Sequence, residues 1–191
     1  MTTGNARQVQ VADALILVAA TAIGLAWGRE SLGVAISGEG VGLLAREFDA
    51  PRPMTFAERL RQFTMGAARL LACGSIAVLI VRLRPPRPRR ARLISQPGTV
   101  AAAVTAAYLL VVAAGFVLAV VIRAKYKPTW SDYAGQAVPP YEIAQAIGAV
   151  WLVLAFAGRW RPERCWIDRL GIAIGLAWIG LTVGSNLFDW W

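Results

Sequence analysis

Residues 98–122 read GTVAAAVTAAYLLVVAAGFVLAVVI, with no charge and no proline along the whole stretch. As a helix this stretch reaches roughly 37 Å, more than the ~30 Å hydrocarbon thickness of a bilayer. A soluble core in a chain of 191 residues has no use for an apolar run of that length. Inside lipid the backbone has no water to bond, so such a run is stable there only as a helix with its hydrogen bonds closed internally.

The pattern recurs outward in both directions. Further apolar runs cover about residues 9–27, 63–83, 141–158 and 170–187. Hydrophobic residues make up 57% of the chain, the mean hydropathy is +0.53, and the 16% that are charged cluster between the runs. An ordinary soluble domain holds about 45–50% apolar and about 25% charged residues. The expected fold is an all-α integral membrane protein, one transmembrane domain over residues 1–191. It is a bundle of five transmembrane helices, or four if the run at 141–158 does not cross. That run is short and carries Glu142 and Gln145 near its start. The first run is read as a retained span. A signal peptide would have only Arg7 in its basic region, would meet Asp13 where its apolar region begins, and would find in Ala26 half of a small-x-small cleavage site.

The connections carry their own signals. Gly33, Gly38, Gly40 and Gly42 predict that the weakly apolar stretch after Trp27 is a loop, since glycine disfavours a regular helix. Thr55-Phe56-Ala57-Glu58 matches a capping box and predicts a short amphipathic lead-in to the second span. Arg84-Pro85-Pro86 ends that span, because proline lacks the N–H and clashes with the preceding turn. Pro140 suits the first turn of the fourth.

The formal charge is +9, nearly all of it from Arg. No nucleic-acid recognition motif accompanies the basic balance, so nucleic acid is not an expected partner. Arg84, Arg87, Arg89, Arg90 and Arg92 sit against two spans with no acid among them and are read as contacts to anionic lipid headgroups. With five spans, eleven Arg and Lys fall on the face of the N-terminus and eight on the other. Basic residues near span ends favour the cytoplasm, which places the N-terminus inside and the C-terminus outside. The expected location is a bacterial cytoplasmic (inner) membrane.

Few residues are equipped for chemistry. The chain has no His, and of its two Cys one lies in a span and one in a loop. Common zinc, haem and His-based catalytic arrangements therefore lack their parts, no metal or cofactor is expected, and an enzyme is disfavoured. The polar candidates within the membrane are Arg69, Glu142, Gln145 and Asn186. A charge inside a span needs a partner or a route to the interface. Arg69 has two such readings, snorkelling to the outer interface or pairing with Glu142 at the same outer level. Asp13, near the start of span one, suits the helix N-terminal dipole. Gly24 with Gly28, Gly171 with Gly175 and Gly180 with Gly184 stand four apart, the spacing that lets membrane helices approach closely. These residues point to a structural or accessory subunit that meets other membrane proteins, or itself. The alternative is a transporter or channel component with a polar site near the outer face.

Overall fold

The structure, a computed structural model, describes residues 10–37, 53–84, 93–122, 140–162 and 165–188. Among the described residues five helices follow in chain order: α1 Val11–Ser37, α2 Phe56–Leu83, α3 Pro97–Ile122, α4 Pro140–Phe156 and α5 Trp166–Phe188. The architecture is an all-α bundle. Four helices, α1, α2, α3 and α5, are long and apolar enough to cross a membrane. At 17 residues, α4 is about 26 Å long, a little less than the hydrocarbon core.

Side-chain contacts fix the direction of each helix. Asp13 at the start of α1 pairs with Arg84 just past the end of α2. Arg82 in the last turn of α2 donates to Gln96, just before α3. Trp151 near the end of α4 donates to the Pro97 carbonyl at the start of α3. Asp168 in the first turn of α5 accepts from the Gly98 N–H. All these ends lie on one side, so successive helices run up and down, antiparallel to one another.

Helix α1 packs chiefly on α2, whereas α2, α3 and α5 pack on one another and α4 lies against α3 and α5. The core has two parts. One gathers Ala68, Ala72, Ala101, Ile143, Ile147, Trp151 and Trp178, and the other Val78, Val81, Ala102 and Ile167. Small residues dominate α2 and α3 where they meet, because association in lipid depends on close packing rather than on expulsion of water.

Two helices depart from the sequence expectation. α1 does not stop at Trp27 but runs on to Ser37, through Gly33 and the stretch expected to be loop. Tertiary packing outweighs glycine's poor propensity there. A Cβ on Gly28 would stand 2.9 Å from the Gly66 carbonyl oxygen, and one on Gly66 would stand 2.5 Å from Leu32 Cγ. The two backbones therefore touch, and Leu32 covers Gly66. α5 starts at Trp166 rather than Leu170, so Ile167 and Asp168 are helical and fully buried. Ile167 fills the second core cluster, and Asp168 in the first turn is favoured by the helix dipole.

The local start and stop signals are present. Thr55 caps α2: its hydroxyl accepts from the Glu58 N–H at 3.3 Å, and the Glu58 carboxylate accepts from the Thr55 N–H at 2.8 Å. α4 ends at Gly158 in the left-handed region, φ 63°. Gly158 and Arg159 donate back to the Ala155 and Leu154 carbonyls at 3.0 and 2.9 Å, a pattern that satisfies the last carbonyls of a helix.

Candidate functional site

The polar side chains of the bundle form two layers. The inner layer joins the helix ends. Asp13 is fully buried; one carboxylate oxygen accepts from the Gln10 N–H at 3.3 Å, and the other lies 3.8 Å from Arg84. Arg82, only 3% exposed, donates to Gln96, whose oxygen also accepts from Thr99 at 3.2 Å. Asp168 accepts from the Gly98 N–H at 3.0 Å. An α-helix leaves its first N–H groups without partners, and here a carboxylate from a neighbouring helix satisfies one of them. Trp151 Nε1 donates to Pro97 at 3.0 Å, and its ring meets Trp160 edge to face at 5.5 Å. The contacts of Arg84 with Asp13, Arg82 with Gln96, Asp168 with Gly98 and Trp151 with Pro97 cross between elements, so the inner layer acts as a clasp.

The outer layer lies roughly 16–20 Å further along α2 and α3, judged from Arg69 against Arg82 and Tyr108 against Pro97. Arg69 Nη1 donates to the Trp27 carbonyl and to the Ser31 hydroxyl, both at 3.1 Å. The neighbours of Gly24 and Gly28 put the Arg69 backbone level with about residue 25 of α1. Its guanidinium therefore climbs about 6–9 Å outward, in the direction of snorkelling. Glu142 has a different partner, accepting from the Tyr108 hydroxyl. The alternative reading, a pair between Arg69 and Glu142, does not form. α1 supplies a carbonyl and a hydroxyl closer to the guanidinium, and Ser31 is in reach because α1 continues past Trp27.

The other candidates do not converge on this layer. Gln145 and Asn186 are exposed on the outside of α4 and α5. Gln145 makes no hydrogen bond to any described residue. Four of the six packing glycines face neighbours. Gly24 meets Leu70, Gly28 meets Gly66, Gly171 meets Gly98, and Gly175 meets the Trp151 ring. Gly180 and Gly184 have nothing within 4 Å. Of the lipid-contact arginines, Arg84 is partly exposed and pairs with Asp13, while Arg87, Arg89, Arg90 and Arg92 lie outside the described residues.

Sequence reasoning missed Tyr108, Ser31, Arg82, Gln96 and Asp168. Arg82 and Asp168 had a usable signal: each lies within one turn of an apolar run, where a charge is well placed to tie one helix end to the next. Tyr108 and Ser31 had none, because their partners come from other helices.

Between the layers, among the described residues, Ala68, Ala72, Ala101, Ile143, Ile147 and Trp178 fill the interior, all nearly or fully buried, with the Ser75 and Thr105 hydroxyls bonded to carbonyls of their own helices. The inner groups hold helices together, and the outer groups bind a carbonyl, a hydroxyl and a phenol of the same chain. Among family models, curated proteins and solved structures, none matches this chain.

Proposed function

We propose that this chain is a non-enzymatic membrane protein, a structural or accessory subunit that works by associating with other membrane proteins or with itself. One observation carries the reading. Among the described residues the interior between the two polar layers is packed with Ala, Ile and Trp, and the hydroxyls buried there, Ser75 and Thr105, bond to carbonyls of their own helices, which supports a bundle without a polar path. Its remaining chemistry lies on the outward surfaces of the helices. A multi-pass protein with a closed interior acts on its surroundings through those surfaces.

The finer placement follows from charge. In this proposal the inner layer faces the cytoplasm of a bacterial inner membrane, with the N-terminus inside and the C-terminus outside. Arg82, Arg84, Arg161 and Arg169 belong to the inner side, which suits the excess of Arg and Lys in cytoplasmic segments. Arg84 and its basic neighbours then meet anionic headgroups.

Affinity purification in mild detergent, with identification of co-purified chains, tests the reading. A defined, stoichiometric membrane partner, or a stable assembly of the chain itself, is the expected result. Recovery of the isolated monomer alone would remove its support.

A second reading, a transporter or channel component, is favoured by one observation. Tyr108 and Glu142 place a hydrogen-bonded carboxyl group well inside the span of α3. Ionisable groups at such depth often mark solute or proton pathways. Solute or proton flux into reconstituted vesicles that disappears in Glu142→Gln would establish this reading over the first.

A further inference from the structure

We propose that the outward face of α4 is a helix–helix interface that pairs with α4 of a second copy of this chain, joined by Gln145. This inference rests on the association reading above and names its partner. Tyr141, Gln145, Ala149, Leu152 and Phe156 follow one another at spacings of 4, 4, 3 and 4, and all five are exposed. That is the spacing of a seam along which two helices pack in a shallow left-handed crossing. The buried residues of α4, Ile143, Ala144, Ile147, Trp151 and Leu154, occupy the opposite face.

Gln145 singles out this face. Trp151 sets the inner level of α4 by its bond to Pro97, and Gln145 lies about 9 Å outward of it. That depth is well inside the apolar stretch of α3. A primary amide there has two donors and an acceptor, and lipid chains offer it nothing. The exposed faces of α1 and α3 at comparable depth carry Val18 and Ala103, which lipid solvates well. Gly148, beside Ala149, has nothing within 4 Å of an added Cβ, so a neighbouring backbone has room to come close.

The amide also indicates a second copy as the partner. Copies inserted with the same topology are related by a two-fold axis along the membrane normal. Identical residues then lie at identical depth, and Gln145 meets Gln145. Each amide carries both the donor and the acceptor that the other needs, so the pair is self-complementary. Tyr141 lies at the outer end of the seam and Phe156 at the inner end.

The test uses the full chain in lipid vesicles with Cys73 and Cys165 replaced by Ala. Single cysteines introduced as Gln145→Cys and Leu152→Cys are expected to form oxidative dimers. Val18→Cys and Val117→Cys, on the exposed faces of α1 and α3, are expected not to. Resonance energy transfer between labelled copies is expected to show association about 3- to 20-fold weaker in Gln145→Leu, the range of single hydrogen bonds between membrane helices. The melting temperature of the diluted monomer should not fall in that variant, because Gln145 has no hydrogen-bond partner among the described residues. Equal cross-linking at all four positions, no cross-linking at 145 and 152, or unchanged association of Gln145→Leu would overturn the proposal. Cross-linking of position 145 to a different protein would overturn the choice of a second copy and leave the broader association reading standing. A chain that is monomeric and partnerless would remove both.

Discussion

Replacing Gly171 by Ala perturbs the contact between α3 and α5 at its tightest point. The new Cβ would stand 2.6 Å from the Gly98 carbonyl oxygen, 2.7 Å from its carbon and 2.8 Å from its Cα. All three are backbone atoms of a helix start, so no side chain can rotate away. The helices must separate by most of an ångström to restore an ordinary contact near 3.4 Å. Overpacking of this kind costs about 1–3 kcal/mol. The separation also stretches the 3.0 Å bond between the Gly98 N–H and Asp168, and hydrogen bonds to charged groups contribute about 1.5–3 kcal/mol. Alanine regains about 1 kcal/mol of helix propensity. The net expectation is a loss of about 2–5 kcal/mol. Gly180→Ala, on the same helix with nothing within 4 Å, serves as the control and should be neutral or slightly stabilising. Denaturation in mixed detergent micelles, followed by Trp fluorescence, measures both. Equal stability of the two variants, or a larger loss at Gly180, would refute the packing of α3 on α5.

Three further outcomes follow from the same geometry. Arg69→Leu and Glu142→Gln should be additive in stability within about 0.5 kcal/mol, while Tyr108→Phe and Glu142→Gln should couple by about 0.5–3 kcal/mol; the reverse pattern in double-mutant cycles would show that Arg69 pairs with Glu142 after all. Thr55→Ala should cost about 0.5–2 kcal/mol, with faster hydrogen exchange confined to the first turn of α2, and protection lost throughout the bundle would show that the cap is coupled to the core. A membrane-impermeant maleimide should reach Cys165, which is half-buried at the inner end of α5, from everted vesicles but not from intact cells, with Cys73 buried and unreactive; labelling from intact cells would invert the proposed orientation.

What could be read from the sequence depended on how local each signal was. The helical membrane class followed from apolar length alone, because lipid leaves an exposed backbone no other structure. The capping box at Thr55 and Glu58 was legible because both halves lie within one turn. The extension of α1 through Gly33 was not, since what holds it is the contact of Gly28 with Gly66 more than thirty residues away. One partner of Arg69 was hidden for the same reason: the Ser31 hydroxyl is placed beside it only because α1 continues as a helix. Glu142 was recognised as a polar group needing a partner, but nothing in the spacing pointed to Tyr108 on α3. Asp168 was hidden by a boundary. The apolar run begins near residue 170, whereas the helix begins at Trp166, so Asp168 lies in its first turn and ties the start of α5 to the start of α3. Gln145, an amide within an apolar run, has no hydrogen-bond partner among the described residues.

Native mass spectrometry of the intact chain released from lipid nanodiscs tests the proposal that the bundle works by association. Species heavier than the 20.5 kDa single chain are expected, either a second copy or a defined foreign subunit. A lone chain of 20.5 kDa under conditions that preserve known membrane complexes would contradict it.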